Sequence, residues 1–589
     1  MRQTIKTLFT YALALPLTVG VGGVMLTGCA DDHFDVSSEV TGRLTIWQQI
    51  ESDPQLSEFA SILKRINYSK SEGSVTSQSY ADMLNHDQTF TLWIPANGTF
   101  DYAKYDSLIT KGTTESLYKV EKELVRNSMV RYSHVLNGTE STQLELFNDK
   151  TAIFDCANST MGGKSITRSN IGCSNGVVHV LDGAMDYMPN LYEFLASRSD
   201  LDSINQFYKA YEKLEFDENS STQGPTVGGN ITWVDSVTNV QNEYFYSTNA
   251  YLNREDSLYA MVIPTNTAWE KVLKQTSKYY NYMDTYTQTI YTADAEDSNT
   301  KETYTTVFTE AELDSMKNLY SKNAICEDLT FNARYQYTPF NASNPADCDS
   351  LKTTSMTIIR APYIEPIFKG TEAVTLSNGY AYVADELNYR PADGWAKKKL
   401  YEAEQGRNVE TYTLCEMVNY TGSFERNDSV IKYTVAKAMQ SSSSSQPTVT
   451  FKLQNTLSCD YDIYLLMAYN ENAQKPCKFK TTITYHDGTK AKTTSKNLTP
   501  VEGDTLHTGP SGTFISRTPY IDDNGYYQQV DTIPLAKDFS LPVCYQGIDN
   551  AYVTLKISCN VSSKEVADYT REMWFDKIIL VAKEAKEQE

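Results

Sequence analysis

The sequence predicts an α+β protein that ends in an all-β domain. Three observations predict it. Helical periodicity opens the chain, with Ile46, Trp47 and Ile50 on one face and Leu56, Phe59, Ile62, Leu63 and Ile66 on the next helix. A hydrophobic strand ending in Pro-x-Asn, followed far downstream by an Asn-Gly hairpin, occurs twice. After Pro391 the chain reads as short alternating strands separated by turns, the pattern of a β-sandwich or jelly roll.

The N-terminus reads as an export signal. Arg2 and Lys6 precede an uncharged run from Leu8 to Leu26, which ends in Leu26-Thr27-Gly28-Cys29. That ending resembles the lipobox of bacterial lipoproteins, in which cleavage leaves a cysteine whose thiol receives diacylglycerol. The expectation is a signal peptide over 1–28, lipidation at Cys29 and a membrane contact made through that lipid. A spanning helix with a chance cysteine is the alternative, since the run is near the minimum spanning length. It is disfavoured because the lipobox follows the run directly and a polar segment comes next. Residues 29–42 form an acidic tether. Asp31 and Asp32 resemble the surface-export signal of Bacteroidetes-type lipoproteins, which implies an outer-membrane protein facing the exterior.

Composition narrows the function. The 589 residues carry 52 Lys and Arg against 74 Asp and Glu, a net charge of −22. Loss of residues 1–28 removes Arg2 and Lys6 and makes it more negative still. Such a chain is a poor ligand for phosphate backbones, so nucleic acid is excluded as a partner. The 42 tyrosines suit exposed β-rich domains, where one side chain offers apolar area and a polar tip. Of ten cysteines, one is assigned to the lipid and an odd number remains. Cys156 with Cys173 and Cys326 with Cys348 are close enough in sequence to bridge. Buried free thiols are the equal alternative. No CxxC occurs, which argues against a zinc ribbon or thioredoxin-type site.

The first domain is expected over 43–188. It has a strand at Phe90–Ile94 stopped by Pro95, an amphipathic helix from Leu117 to Val130, and a last strand at Val177–Leu181. The segment from Thr89 to Phe100, with Pro95, Asn97 and Phe100, resembles the first signature of fasciclin domains. Tyr132-Ser133-His134 resembles their central Tyr-His region. Ser174 to Gly183, with Asn175, Gly176 and His179, resembles their second signature. Asn97 is read as capping the helix that carries Phe100, and Asn175-Gly176 as a tight hairpin. The second copy, over 189–392, shows Pro264, Asn266 and Trp269 in the first signature. Asn378 and Gly379 fall in the second, with Tyr382 in place of His179. Asn332 lies nearest the missing central histidine. Polar surplus at 217–243 and 279–306 reads as loops.

The C-terminal domain, 396–589, resembles galactose-binding-like domains and carbohydrate-binding modules, weakly, in Leu400–Glu404 and Trp574–Val581. Residues 395–405 read as helix-like or connecting. Tyr520, Tyr526, Tyr527 and Tyr545, with Asp522, Asn524 and Asn550, are candidates for a sugar platform with polar groups around it. The competing reading leaves these tyrosines at the core edge. Asp522-Asp523-Asn524-Gly525 reads as a turn, not a calcium loop. No catalytic, metal or cofactor site is expected: the six histidines are scattered, and HExxH, GxSxG and P-loop patterns are absent. His134 and His179 read as buried core histidines. Nine Asp-(Ser/Thr)-aliphatic or Met sites, at Ser107, Ser203, Ser236, Ser257, Ser315, Ser350, Ser429, Thr505 and Thr532, resemble O-glycosylation sites of the same bacteria. The fasciclin resemblance implies a non-enzymatic adhesion or binding protein with an extracellular glycan or protein ligand. The alternative is a glycan-capture lipoprotein associated with an outer-membrane transporter complex.

Overall fold

The computed structural model describes residues 42–71, 74–291, 301–427 and 429–584. The signal peptide, Cys29, Asp31 and Asp32 lie outside them. Among the described residues, no helix is long and apolar enough to cross a membrane. The chain forms two compact units, one ending at Asp186 and one running from Tyr187 to the C-terminus, with residues 70–74 grouped in the second.

The first unit is a fasciclin-type mix of helices and sheet. Its inner strands Phe90–Pro95 and Gly176–Leu181 run parallel, fully buried, with Trp93 opposite His179. Met129–Arg131 and Lys164–Cys173 flank them antiparallel, and three short strands extend the sheet past Lys164–Cys173. Helices Ile46–Ser52 and Ser57–Arg65 present Ile46, Ile50, Phe59, Ile62 and Leu63 to the core, the periodic set that the sequence marks. The helix expected from Leu117 to Val130 differs at its end. It runs over Thr114–Val120, widens to a π-turn at Glu121–Val125, and yields to the strand at Met129. The widened turn buries Glu121, which accepts from Ser69 N, Tyr80 Oη and Arg126.

One residue fastens this arrangement. Asn175 sits in the two-residue turn before Gly176 and is buried. Its Oδ1 accepts from Ile46 N at 2.7 Å, one of the amides a helix start leaves unpaired. Its Nδ2 donates to the carbonyls of Leu84 (2.9 Å) and His86 (2.6 Å). Gly176 follows with φ 141°, and a Cβ there would lie 1.8 Å from the Phe90 carbonyl oxygen. Only glycine lets the two strands approach.

The second unit repeats the frame. Thr330–Asn332, Tyr259–Pro264, Gly379–Ala384 and Glu372–Leu376 lie side by side in the order of the first sheet, the inner pair again parallel. Asn378 does the work of Asn175: it accepts from Leu191 N at 2.8 Å and donates to Leu252 O and Arg254 O. Gly379, with φ 152°, meets the Tyr259 carbonyl as Gly176 meets that of Phe90.

The two polar insertions are not loops. They are antiparallel hairpins, Glu212–Val227 with Asn230–Asn242 and Thr285–Tyr291 with Lys301–Val307. Their threonines read as polar, yet they pair across strands, Thr287 with Thr305 at 3.1 Å and Thr289 with Thr303 at 2.9 Å.

The C-terminal part is a two-sheet sandwich. One sheet is centred on Met573–Ala582 and the other on Val553–Cys559. Phe451 meets Phe575 across the interior at 5.3 Å, and Tyr485 meets Phe539 at 5.3 Å. The stretch 395–405 contains a strand, Lys399–Glu402, antiparallel to Met573–Ala582, because its alternation was masked by charge. Strands Cys415–Arg426 and Val530–Leu541 complete the larger sheet. The segments 189–392 and 396–589 share one continuous hydrophobic core. Across their junction Tyr286 donates to Cys544 O (2.8 Å), Asn281 Nδ2 to Pro542 O (2.9 Å) and Tyr552 N to Gln288 (3.0 Å).

The two cysteine pairs suggested by spacing are free thiols. Cys173 faces the helical core of the first unit, whereas Cys156 packs on the separate cluster around Trp93. Cys348 instead donates to Pro345 O.

Replacing Asn175 or Asn378 with alanine strands one amide and two carbonyls. Each variant is expected to lose about 2–4 kcal/mol in urea unfolding. A loss below about 0.5 kcal/mol, the range of ordinary surface changes, would remove the carboxamide from its fastening role.

Candidate functional site

The first unit's central Tyr-His segment follows the strand Met129–Arg131. Tyr132 N donates to Thr89 O, and Thr91 Oγ1 bridges the turn: it donates to Tyr132 O (2.8 Å) and accepts from His134 N (2.8 Å). Held so, Tyr132 takes φ 68°, a left-handed conformation, and is 71% exposed. It stands at an open groove of about 490 Å³ together with Arg131, His134, Gln143, Glu145 and Asp149. Phe147 forms part of the groove, and the Arg131 guanidinium lies 5.4 Å above its ring.

Behind the groove sits His179, fully buried. Its ring stacks on Trp93 at 5.5 Å and 10°. Nε2 lies 2.9 Å from His134 O and Nδ1 3.4 Å from Asn170 N, so the neutral ring with its proton on Nε2 satisfies both contacts. Burial pushes the His179 pKa down to about 4 and lowers that of His134. The two histidines therefore meet through a backbone carbonyl. They brace the groove wall.

The signature residues are structural. Pro95 and Pro264 end the inner strands. Asn97 does not cap the helix after Phe100. That helix, Tyr102–Lys111, is capped by Asp101. Asn97 reaches instead to the helix Ser57–Arg65, accepting from Glu58 N at 3.0 Å and donating to Pro54 O at 2.9 Å. Asn266 repeats this with Ser203 N and Ser199 O. Phe100 packs against the first core, and Trp269 is buried against Phe207.

The register gives the second copy's counterparts. Phe90 pairs with Arg131 and Tyr259 with Asn332. Asn332 thus occupies the place of Arg131, not of the histidine. Ala333, buried, replaces Tyr132, and Tyr335, 74% exposed, stands where His134 does. Tyr382 takes the His179 position and donates to Ala342 O at 2.8 Å.

In the sandwich the candidate tyrosines separate. Tyr545 is buried at the junction, its hydroxyl accepting from His486 N at 2.7 Å, so it cannot serve as a platform. Tyr520 is covered by the Arg517 guanidinium at 3.3 Å. Tyr526 and Tyr527 are exposed beside a turn ordered by Asp522, which accepts from Asn524 N, Tyr526 N and Gln528 Nε2. Asn550 lies in a separate left-handed turn. His507 is clamped between Asp504 (2.7 Å) and Asp531 (3.1 Å). Burial opposes its charge, but the two carboxylates outweigh that and raise its pKa. Among the described residues, no group of three or more His, Cys, Asp or Glu is placed to hold a metal ion.

Comparison with known proteins agrees with the first unit. Residues 55–187 match the Fasciclin domain family model, so the chain carries a fasciclin domain. No curated protein sequence matches the chain. Among solved structures, one similar chain is a FAS1 domain pair from the insect cell adhesion molecule Fasciclin I, at 13% identity and TM-score 0.19, covering 52% of this chain and 90% of that one. Another is the CBM22-1–GH10 part of a Clostridium thermocellum xylanase complexed with xylohexaose, at 14% identity and TM-score 0.18, covering 31% of this chain and 28% of that one.

His179 gives a pH prediction. Its folded pKa is depressed from the ordinary 6.5. The stabilisation is therefore complete above pH 6.5 and is lost as pH falls through the folded value near 4, by up to about 1.4 kcal/mol per pH unit. His179→Gln, which keeps a donor for His134 O, should flatten this acid limb in thermal melts of the whole chain. An unchanged limb would place the acid sensitivity elsewhere.

Proposed function

We propose that this chain is a non-enzymatic adhesion or ligand-binding protein of the cell surface, and that the Tyr132 groove is its contact site. The conformation of Tyr132 carries the reading. A left-handed non-glycine residue costs about 1–2 kcal/mol, and an exposed ring gains little from the fold in return. Strain of this kind clusters where a side chain is presented to a partner. An exposed aromatic beside a groove with Arg131, Glu145 and Asp149 matches the anchor-and-polar-rim arrangement of interfaces.

Tyr132→Gly relieves the backbone while removing the ring. On an array of extracellular proteins and glycans, the wild-type chain should capture at least one probe, and the variant should bind it at least tenfold more weakly with Tm equal or higher. Equal capture by both proteins would end this assignment.

A second reading, glycan capture for an outer-membrane transporter complex, is favoured by Tyr526 and Tyr527, whose rings stand 42% and 36% exposed beside Asp522 and Gln528. A ring face for a pyranose with carboxylate and amide groups beside it is the usual chemistry of such sites.

The surface role requires an anchor. We propose lipidation at Cys29, export directed by Asp31 and Asp32, and O-glycosylation at Asp-Ser and Asp-Thr sites. None of the nine residues at those sites is buried. Intact mass of the protein from its native membrane tests both modifications. It should exceed the mature polypeptide by the acyl groups plus hexose-scale increments, and Cys29→Ser should carry no acyl groups and remain an unprocessed precursor that retains residues 1–28. A mass equal to the bare polypeptide would overturn both.

A further inference from the structure

The spacing-based cysteine pairs are free thiols, and the sandwich brings two other free cysteines onto neighbouring strands. Cys477 immediately precedes the strand Lys478–Tyr485, and Cys559 ends the strand Val553–Cys559. The two strands are antiparallel neighbours with Phe479 opposite Cys559. The backbone bond from Asn560 N to Lys478 O, at 2.7 Å, carries the pairing one residue further. Side chains alternate along a strand, so Cys477, two residues before Phe479, lies on the same face as Phe479 and Cys559. Both thiols are buried in the common core, 2% and 3% exposed.

We propose that Cys477 and Cys559 form an oxidation site, closed as a disulfide that staples the two central strands of the smaller sandwich sheet while the chain folds in an oxidising compartment. One of the two cysteines, as its thiolate, displaces one sulfur of an external disulfide and forms a mixed disulfide. The other cysteine then loses its proton and attacks that cysteine's sulfur, releasing the second external sulfur. Two cysteine thiols lose two protons and two electrons, and one external disulfide becomes two thiols. Burial places the step before the sandwich closes and shields the product from reductant afterwards. The oxidising compartment rests on the proposed export of the chain, whereas the site does not depend on the Tyr132 groove.

The test uses the full chain, unfolded with reductant and refolded in mixed reduced and oxidised glutathione. It is then alkylated under denaturing conditions and digested without reductant. The expected result is a linked peptide pair joining Cys477 to Cys559, two fewer alkylated thiols, and a Tm that falls by about 5 °C when reductant is added. Cys477→Ser and Cys559→Ser should each abolish the linked pair and the reductant effect. If neither variant refolds, the wild-type peptide map decides alone. Full alkylation of both cysteines after oxidative refolding, or linkage of either to another cysteine, would overturn the proposal.

Discussion

A buried carboxamide at the entrance to the inner strand holds each copy of the repeated frame together. Asn175 and Asn378 each join three pieces of chain that are distant in sequence: a helix start, the loop before the first inner strand, and the hairpin that feeds the second. The geometry needs an amide. Its oxygen faces an N–H and its nitrogen faces two carbonyls, so aspartate would repel and leucine would leave all three groups unpaired. The following glycine is bound to the same constraint, because the turn that aims the carboxamide also drives the backbone against a neighbouring carbonyl. Asn-Gly is thus one device with two parts.

This explains which features the sequence announces. Asn175-Gly176 and Asn378-Gly379 are legible because a special side chain and a special backbone fall together. The buried faces of the first helices are legible because their period matches 3.6 residues. The partner of Asn97 is not legible. Capping by a residue some forty positions away leaves no local trace, so the helix after it was the natural but wrong beneficiary. The threonine-rich hairpins misled for another reason. Thr is polar by composition and β-forming by shape, and only cross-strand pairing decides which property counts. Tyr545 misled in the same way: a tyrosine in a turn-rich segment reads as exposed until Tyr286 packs edge-on to it and His486 N donates to its hydroxyl.

That covering couples two segments that composition separates. The hairpin Thr285–Tyr291 with Lys301–Val307 is an insertion in the fasciclin frame, and its first strand supplies Tyr286, Thr287 and Gln288 to the sandwich. Tyr286 packs edge-on to both His486 and Tyr545, and His486 bonds to Thr287 O. Buried polar groups from both segments satisfy one another here, so parting them would strand several at once. These bonds and one continuous hydrophobic core join the two segments in one compact unit.

The two copies of the frame then show that its fastening and the groove separate. Both keep the carboxamide, the glycine, the proline and the capping asparagine. They differ at the positions around the groove. Trp93 becomes Val262, His179 becomes Tyr382, Tyr132 becomes Ala333 and His134 becomes Tyr335. In the first copy a stacked Trp93–His179 pair supports a carbonyl that fixes the turn presenting Tyr132. In the second, Tyr382 spans the same space, bonds to Ala342 O and packs on Phe368, and the chain at Ala333 turns inward. The second copy keeps the fold, has the buried Ala333 at the Tyr132 position, and bonds to the sandwich through its insertion. Of the two copies, the first carries the exposed aromatic in a left-handed conformation, Tyr132.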